Sequence, residues 1–267
     1  MNDQNRTYTL ITGGSMGIGF ELARIFASNG HNLILVARDE LELRTAVNQL
    51  QMSDVEVIGL QKDLFEPNAA FELYDTVTQK NWVVDILVNN AGQGQYGLFK
   101  DTDINRELDI IQLNICSLVV LTKKFLAGML ERGEGKILNL SSIASKAPGP
   151  WQSVYHGTKA FIQSFSEALH SELKEMNITV TALLPGTTDT DFFNKAGMLE
   201  SKAVQDEDDL ADPAKVAKDG YEALMRGDDK VISGFKNKMT VAASNVMTDS
   251  KAADTMSKKQ EPVDRSK

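Results

Sequence analysis

Cysteine, histidine and basic residues are scarce in this sequence. Its 267 residues include one cysteine and three histidines, and 28 Lys and Arg stand against 37 Asp and Glu, a net charge of −9. The single cysteine, Cys116, excludes an intrachain disulfide, and nothing points to an oxidising compartment. Because it lies in an apolar run, we expect a core or interface thiol rather than a nucleophile. The acidic balance argues against a nucleic-acid partner, which requires clustered Lys and Arg, but allows a small anionic ligand.

Long hydrophobic runs are also lacking. No uninterrupted run approaches the roughly 18 apolar residues that a membrane-spanning helix requires. Residues 1–6 are polar and do not resemble a signal peptide. We therefore expect no membrane partner and a cytoplasmic location. The acidic run Asp206–Asp209 has no His or Cys nearby, so we expect a solvated linker there, and no metal site is predicted.

Short β-rich runs alternate with longer helical patterns along a chain that is 42% hydrophobic and 24% charged, an ordinary globular composition. The predicted strands are Tyr8–Ile11, Asn32–Ala37, Val55–Leu60, Ile86–Asn89, Lys136–Leu140, Thr179–Leu184 and Lys230–Ile232. The predicted helices are Gly17–Asn29, Glu40–Met52, Pro67–Lys80, Asn105–Arg132, Ser153–Met176 and Pro213–Arg226. Mostly continuous apolar strands alternating with helices predict an α/β fold. We expect a doubly wound parallel sheet of the Rossmann type in three α/β/α layers.

No domain boundary is visible before residue 186, and we assign residues 1–243 to a single domain. The pattern loosens over residues 187–209, which we interpret as a substrate lid that orders on binding. From Ser244 to the end at residue 267 the chain is polar and has no aromatic residue. Such a segment buries little, so we expect a flexible or loosely docked tail.

The two longest predicted helices carry apolar residues at spacings of three and four, which is typical of one buried helix face. These residues are Ile111, Ile115, Leu118, Leu121, Phe125 and Met129 on the first helix, and Phe161, Phe165, Leu169 and Leu173 on the second. The pattern alone does not distinguish burial in the monomer core from burial at a subunit interface.

A glycine-rich turn, Thr12–Gly19, follows the first strand and opens the first helix. Glycines permit positive φ and a close approach to a diphosphate, which the free N–H groups and positive end of the helix then hold. The letters of Gly13–Gly17 also match G-x-S-x-G, the nucleophile elbow of serine hydrolases, with Ser15 as nucleophile. Two of the three histidines lie inside one predicted helix, which serves a catalytic triad poorly. A turn used only for packing is the third interpretation.

Arg38 follows the second predicted strand directly. An acidic residue here would bind the ribose hydroxyls of NAD, whereas a guanidinium offers a planar cationic fork for the 2′-phosphate of NADP. One or two charge-assisted hydrogen bonds of about 1.5–3 kcal/mol each would give a roughly tenfold to several-hundredfold preference for NADP. The alternative is a solvated arginine at the start of a helix.

Tyr155 and Lys159 are four residues apart on a predicted helix and therefore share a face. A phenol with a pKa of about 10 exchanges protons poorly near neutrality. An ammonium about 4 Å away, worth roughly 4 kcal/mol at an effective dielectric of about 20, would lower that pKa by up to about three units. The pair would then suit general acid–base catalysis. The alternative is a tyrosine packed over a lysine stem.

Four motifs in this order and spacing resemble the short-chain dehydrogenase/reductase (SDR) family: Thr12–Gly19, Asn89–Gly92, Ser142 and Tyr155-x-x-x-Lys159. The resemblance extends from Thr7 to about Phe193, and the arginine after the second strand is similar to the NADP-preferring members. It implies an oxidoreductase that transfers a hydride between NADP(H) and a carbonyl or alcohol of a small molecule. NAD(H) is the alternative cofactor. An NADP-binding redox sensor without turnover and a serine hydrolase using Ser15 are the alternatives.

The resemblance also implies catalytic roles. Tyr155 would protonate the nascent alkoxide or remove the alcohol proton, and Lys159 would lower its pKa and bind the nicotinamide ribose. Ser142, thirteen residues before the tyrosine, would stabilise the developing oxyanion, with the adjacent Ser141 as the alternative. Asn114 would hold a proton-relay water, or else be a helix asparagine that meets local polar groups.

Cofactor-binding positions follow from the same resemblance. They are Gly13, Ser15, Met16, Gly17, Ile18, Gly19, Arg38, Asp63, Leu64, Asn90, Ala91, Gly92, Tyr155, Lys159, Pro185, Gly186, Thr188 and Thr190. Asp63 would bind the adenine amino group, and Leu64 would contribute its backbone. Thr188 stands where the family usually has an aliphatic residue, which makes the carboxamide pocket more polar.

The family places substrate beside Gln93–Tyr96, Ile143–Trp151 and Thr187–Glu200. The aromatic residues and methionine in these segments suggest a fairly apolar carbonyl compound, although aromatic side chains in loops also pack pocket walls. The resemblance further implies a homodimer or homotetramer assembled through the helices that carry Asn114 and Tyr155.

Overall fold

Seven parallel strands form one sheet in the computed structural model, which describes residues 6–51, 54–205, 210–244 and 247–263. The strands are β1 (Thr7–Thr12), β2 (Asn32–Ala37), β3 (Val57–Gln61), β4 (Val83–Asn89), β5 (Gly135–Leu140), β6 (Ile178–Leu184) and β7 (Lys230–Ile232). Their order is β3-β2-β1-β4-β5-β6-β7, so the chain winds outward in one direction from β1 and in the other from β4. Ligands bind such sheets at the carboxyl ends of the two strands where the winding reverses.

Helices cover both faces of the sheet. They are α1 (Gly17–Ser28), α2 (Glu40–Leu50), α3 (Ala69–Gln79), α4 (Ile104–Ile111), α5 (Leu118–Arg132), α6 (Ser153–Leu173), α7 (Phe192–Lys195), α8 (Pro213–Arg226), α9 (Phe235–Ser244) and α10 (Asp249–Gln260). A π-helical segment, Gln112–Ser117, joins α4 to α5. Short 3₁₀ segments lie at Ile143–Lys146, Lys174–Met176 and Lys202–Val204. The predicted three-layer fold is therefore confirmed. Met52, the predicted last residue of the second helix, lies outside the described residues.

Two separate cores form because the strands are apolar on both sides. On one face, Leu10 and Leu87 pack with Phe125 of α5. On the other face, Leu35 packs with Phe26 of α1 and Val216 of α8. The sheet between them thus holds the loops at its carboxyl edge on a rigid base.

The apolar stripe predicted on α6 faces the core only in part: Leu173 belongs to the core and Leu169 packs against it, whereas Phe161 does not. Phe161 is 39% exposed and stacks on Phe165, with ring centroids 5.7 Å apart, whereas Ile162 and Ser166 are the buried residues. Cys116 is exposed as well. Burial of Phe161 and Cys116 in the monomer core is therefore wrong, because α6 buries Ile162 and Ser166 and the π-helical segment buries Leu113, Asn114 and Ser117. A subunit interface stays a prediction for both.

By length and composition, the helical stretch Ile104–Arg132 is apolar enough to cross a membrane, with a mean hydropathy of 1.5 in its most apolar window. Counting uninterrupted apolar runs does not reveal this. Half of that window is buried, and Leu121, Phe125 and Met129 belong to the core. Packing against the sheet accounts for the apolar character of the helix.

The C-terminal segment is more ordered than its composition indicates. The flexible tail expected from Ser244 onward contrasts with the helix Asp249–Gln260, whose last residue is buried. Beyond it, Pro262 pairs with Ser201 in an antiparallel bridge. Long-range contacts with Glu200, Ser201 and Lys202, rather than a local apolar pattern, hold this segment in place.

Candidate functional site

A cavity of about 570 Å³ opens at the carboxyl edge of the sheet. Every cofactor-binding residue named from the sequence lines it, from Gly13 in the glycine turn to Thr190 after β6. Ser142 lines it too, whereas Asn114 lies behind the wall. The fold therefore brings segments that are far apart in the sequence to one concave site.

The glycine turn needs glycine for two different reasons. Gly13 and Gly17 have φ of +63° and +55°, a region that favours glycine. A Cβ on Gly19 would overlap the backbone oxygen of Gly13 and the amide of Asn90. Helix α1 begins at Gly17, and its N-cap Met16 supplies no side-chain hydrogen bond to the first turn. The first N–H groups of α1 therefore suit an anionic ligand at the cavity.

Asn90 and Thr12 lock the glycine turn to the end of β4. The Asn90 side-chain amide donates to the carbonyl oxygens of Thr12 and Gly13, both at 2.9 Å. The Thr12 hydroxyl accepts from the backbone N–H groups of Asn90 and Ala91, both at 3.0 Å. These neutral hydrogen bonds fix the shape of the turn without any ionisable group.

Arg38 lies at the outer end of the cavity, and Phe65 lies beneath it. The guanidinium carbon is 5.4 Å from the Phe65 ring centroid, and Arg106 approaches the same ring at 5.0 Å. Within the described part of the chain Arg38 forms no ion pair, which leaves its charge available to an anion. Asp63 instead accepts a hydrogen bond from the Phe65 N–H at 3.1 Å. Phe65 was missed from the sequence, where a single aromatic residue after a strand carries no signal.

Ser15 lacks the partners of a hydrolase nucleophile. Its hydroxyl donates to a Glu42 carboxylate oxygen at 3.4 Å. The imidazoles contact other groups: His156 contacts Ala147 and Gln260, His170 contacts Val180, and His31 packs on Phe26. The geometry gives no support to a serine–histidine pair at the turn.

Ser142 and Ser141 point to different places at the end of β5. The Ser142 hydroxyl accepts from the Ala144 N–H at 3.0 Å, donates to the Pro185 carbonyl at 3.4 Å and lowers the pKa of the Tyr155 phenol. The Ser141 hydroxyl donates to the Lys159 backbone oxygen at 2.9 Å, which turns it toward α6. Of the two serines, Ser142 is the one that meets the tyrosine.

Tyr155 and Lys159 lie on the cavity side of α6, as their spacing predicts. The Lys159 ammonium donates to the Leu140 carbonyl at 2.7 Å and is 5.7 Å from the Tyr155 ring centroid. Burial raises the pKa of Tyr155 to about 12, opposed by the hydrogen bond with Ser142. Burial lowers the pKa of Lys159 to about 7.

The predicted lowering of the Tyr155 pKa by Lys159 is therefore wrong for this structure. Lys159 is buried and Tyr155 is half-buried, and desolvation disfavours the charged form of each. The lysine head also turns toward Leu140 rather than toward the phenol. Residue spacing gives proximity, but burial decides the direction of the pKa shift.

Asn114 lies in the π-helical segment and is buried. Its side-chain oxygen accepts from the Gln93 N–H at 3.0 Å, and its amide donates to the Gln93 carbonyl and the Thr158 hydroxyl, both at 2.9 Å. A Cβ on Gly92 would lie 3.4 Å from the Asn114 oxygen and 3.3 Å from the Lys159 ammonium. Asn114 thus clamps the loop after β4 beside Lys159, while the relay role stays a prediction.

Thr188 turns toward its own chain. It is buried, and its hydroxyl donates to the Gly186 carbonyl at 3.0 Å. Thr190 places a methyl group where a Cβ on Gly17 would meet it at 3.0 Å. The Thr188 hydroxyl therefore has a hydrogen-bond partner within its own loop and does not make the carboxamide pocket more polar.

The far wall of the cavity combines predicted and unpredicted residues. Phe192 and Met198 come from the segment expected to contact substrate, and the Phe192 ring lies 5.1 Å from that of Tyr155. The residues of this wall that sequence reasoning missed are Gln152, His156, Met256, Lys259 and Gln260. Tyr96 and Trp151 stack on each other, with centroids 5.6 Å apart, outside this lining.

No group of three or more His, Cys, Asp or Glu side chains suited to a metal occurs among the described residues. The acidic run Asp206–Asp209 lies outside them.

Comparison with known proteins identifies the family. The family model described as short chain dehydrogenase matches residues 7–200. A short chain dehydrogenase of Pseudocercospora fijiensis is 33% identical over 184 residues, which cover 68% of this chain and 60% of that protein. This chain thus spans less than two thirds of that relative.

Two solved structures are similar over most of their length. A Sphingobium yanoikuyae short-chain dehydrogenase in complex with NADPH has a TM-score of 0.80 at 29% identity and covers 93% of this chain and 98% of its own. L-sorbose reductase from Gluconobacter frateurii, complexed with NADPH and L-sorbose, has a TM-score of 0.76 at 26% identity, covering 87% and 98%. With its glycine turn and its Ser142, Tyr155 and Lys159 on one cavity, the chain belongs to the short-chain dehydrogenase family of oxidoreductases.

Proposed function

We propose that this protein is an NADP(H)-dependent oxidoreductase that reduces a carbonyl group of a small molecule to an alcohol, and catalyses the reverse reaction. One observation carries the proposal: Ser142, Tyr155 and Lys159 meet on the same cavity as the glycine turn and Arg38. The cavity thus joins a surface suited to a dinucleotide with a set of proton donors.

The cofactor end fits a phosphorylated dinucleotide. The first N–H groups of α1 suit the diphosphate, and the guanidinium of Arg38 suits a 2′-phosphate. The two NADPH complexes among the similar structures support this choice. When bound, the nicotinamide cofactor supplies or accepts the hydride.

The protein's own residues handle the proton. A Tyr155 pKa of about 12 keeps the phenol protonated at neutral pH, so it can donate to the oxygen on which negative charge develops. Ser142, which lowers the pKa of the Tyr155 phenol and lines the same cavity, is placed to donate to the same oxygen. Alcohol oxidation requires the phenolate, so it should accelerate with rising pH, whereas reduction should decline only in strongly alkaline solution.

The decisive experiment combines a panel of ketones, aldehydes and alcohols with both nicotinamide cofactors. In Tyr155→Phe we expect kcat/KM for the reduced carbonyl to fall roughly 10²- to 10⁴-fold, because the general acid is lost. Tyr221→Phe is the matched control, since Tyr221 packs on Phe26 away from the cavity. Its rate should equal that of the unmodified protein.

Two outcomes would favour the alternatives. NADPH binding without turnover of any panel member would indicate a redox sensor. Ester cleavage that requires no cofactor and is lost in Ser15→Ala would indicate a hydrolase, against the contact between Ser15 and Glu42.

A further inference from the structure

Three buried polar side chains meet on the far wall of the cavity: Gln152, His156 and Gln260, called here the amide–imidazole cluster. They are 4%, 4% and 5% exposed. Gln152 directly precedes α6, His156 lies next to Tyr155 on α6, and Gln260 ends α10. All three line the same cavity as Tyr155. Polar side chains this deeply buried need hydrogen-bond partners.

The hydrogen bonds of the cluster have a definite direction. The His156 Nδ1 atom is 2.9 Å from the Ala147 carbonyl oxygen, which can only accept, so Nδ1 carries the hydrogen. The Nε2 atom of the neutral ring then accepts from the Gln260 amide at 3.1 Å. That amide also donates to the Gln152 side-chain oxygen at 3.3 Å. Burial lowers the pKa of His156, which agrees with a neutral ring.

Two polar atoms of the cluster remain unsatisfied. The side-chain nitrogen of Gln152 and the side-chain oxygen of Gln260 are buried without a hydrogen-bond partner among the described residues. One is a donor and the other an acceptor, on two amides in direct contact. A hydroxyl group both accepts and donates, whereas a carboxylate or an ammonium satisfies only one of them. The terminal amide torsion is soft, so either amide can turn toward the cavity.

The backbone at Gln260 is fixed by residues from other segments. Its carbonyl oxygen accepts from the Tyr96 hydroxyl at 2.5 Å and from the Ser201 hydroxyl at 3.0 Å. Lys202 forms an ion pair with Glu261 at 2.5 Å, and its N–H donates to the Glu261 carbonyl at 3.1 Å. The end of α10 therefore holds Gln260 at the cavity wall.

The cluster adjoins Tyr155 through His156, the next residue of α6. The rings of Tyr155 and His156 have centroids 6.1 Å apart. The apolar residues Phe192, Met198 and Met256 line the same cavity. A molecule that spans it would carry its carbonyl at Tyr155 and an uncharged polar group at Gln260.

We propose that the amide–imidazole cluster binds a hydroxyl group of the substrate, so that Gln260 is a specificity-determining residue for hydroxylated, otherwise apolar ketones. The inference rests on the carbonyl reduction proposed above. It narrows the substrate class from carbonyl compounds in general to those that also carry a hydroxyl group.

The test compares 4-hydroxycyclohexanone with 4-methylcyclohexanone, which match in size and differ in the hydrogen-bonding group. With NADPH we expect the protein to favour the hydroxy ketone in kcat/KM by roughly 5- to 150-fold, the range for one buried hydrogen-bond partner. In Gln260→Leu the ratio should fall to about one, mainly through KM for the hydroxy ketone. Gln152→Leu removes the donor side and should have the same effect, which keeps the test valid if one variant does not fold.

Two control variants separate recognition of the substrate hydroxyl by Gln260 from the packing of α10 against the rest of the protein. Tyr96→Phe removes one anchor of α10 but keeps the Gln260 side chain, so the ratio should persist even where both rates fall. Lys258→Ala alters an exposed residue of the same helix and should leave the ratio unchanged. A starting ratio near one, or a ratio that survives in folded Gln260→Leu, would overturn the inference.

Ligand binding separates this inference from the proposed function. If neither ketone is reduced, the carbonyl-reductase proposal loses support, and calorimetric titration of the protein with both ketones decides the inference alone. Tighter binding of the hydroxy ketone that is lost in Gln260→Leu supports the cluster as a hydroxyl site. Equal binding of both ketones contradicts it.

Discussion

The two ends of the cavity are held in shape by different kinds of contact. At the glycine turn, Asn90 and Thr12 make neutral hydrogen bonds to backbone groups, and glycines leave no room for side chains. At the other end, Tyr155 is half-buried and Lys159 is buried, and the pKa values of both ionisable groups are shifted. The first end is a preformed surface, whereas at the second end desolvation of ionisable groups lowers the stability of the folded protein.

This difference separates binding from chemistry. A surface made of backbone groups keeps its shape across pH, because nothing in it titrates. Buried ionisable groups respond to pH and to any ligand that changes their surroundings. Variants at the first end should therefore change cofactor affinity, and variants at the second should change pH dependence.

Replacing Gly19 should give the largest effect. In Gly19→Val the new side chain would overlap the Gly13 oxygen and the Asn90 amide, which are parts of the rigid turn. We expect a loss of about 3 kcal/mol of stability or more, beyond ordinary overpacking, and no saturable NADPH binding. Denaturant unfolding and fluorescence titration with NADPH measure the two effects.

Gly157→Ala is the matched control for that experiment. Among the described residues, a Cβ on Gly157 would have no heavy atom within 4 Å, and Gly157 lies inside α6. Alanine there should stabilise the protein by about 0.5–1 kcal/mol. Normal NADPH affinity in Gly19→Val would show that the turn can deform without loss of binding.

Replacing Arg38 should have a smaller and more selective effect. In Arg38→Ala the dissociation constant for NADPH should rise roughly 10- to 150-fold, the range for one charge-assisted hydrogen bond, while that for NADH stays constant. Arg24→Ala is the control, because Arg24 pairs with Glu21 on the surface. Equal losses for NADPH and NADH would refute a role in 2′-phosphate recognition.

The contrast between the two ends also explains what the sequence could predict. Alternating apolar runs predict the strands, and glycine spacing predicts the turn, because both depend on neighbours in the chain. The positions of Ser142, Tyr155 and Lys159 follow from their spacing in the motifs. Their pKa values do not, because burial depends on elements that pack from elsewhere.

The substrate end shows the same limit at longer range. Gln260 meets His156 across 104 residues, and its helix comes from a polar segment without aromatic residues. Nothing local in that segment indicates docking, since Tyr96 and Ser201 supply the contacts. On α6 the spacing of apolar residues by three and four predicts a buried stripe that includes Phe161. The helix buries Ile162 and Ser166 instead of Phe161. Periodicity predicts that a face exists, not which neighbour covers it.

Titrating Lys159 should give a gradual effect, seen in stability rather than in binding. Its pKa is about 7 when folded against 10.5 for the ordinary side chain, so between these values the unfolded chain binds a proton that the folded chain has released. Stability should therefore rise with pH in this window, by up to about 1.4 kcal/mol per pH unit. Tyr155 acts oppositely at higher pH: its pKa is about 12 when folded against 10.0, so stability should fall as pH rises from 10 to 12.

Denaturant unfolding from pH 7 to 9.5 isolates this contribution when the protein is compared with Lys159→Met. The variant should lack the rise, and the gap between the two proteins should be widest at pH 7, where burying the ammonium costs most. Lys123→Met, on the exposed face of α5, should keep the slope of the unmodified protein. Parallel curves for Lys159→Met and the unmodified protein would mean that Lys159 keeps its charge when buried. The Leu140 carbonyl would then stabilise the ammonium fully, and the electrostatic contrast between the two ends of the cavity would rest on Tyr155 alone.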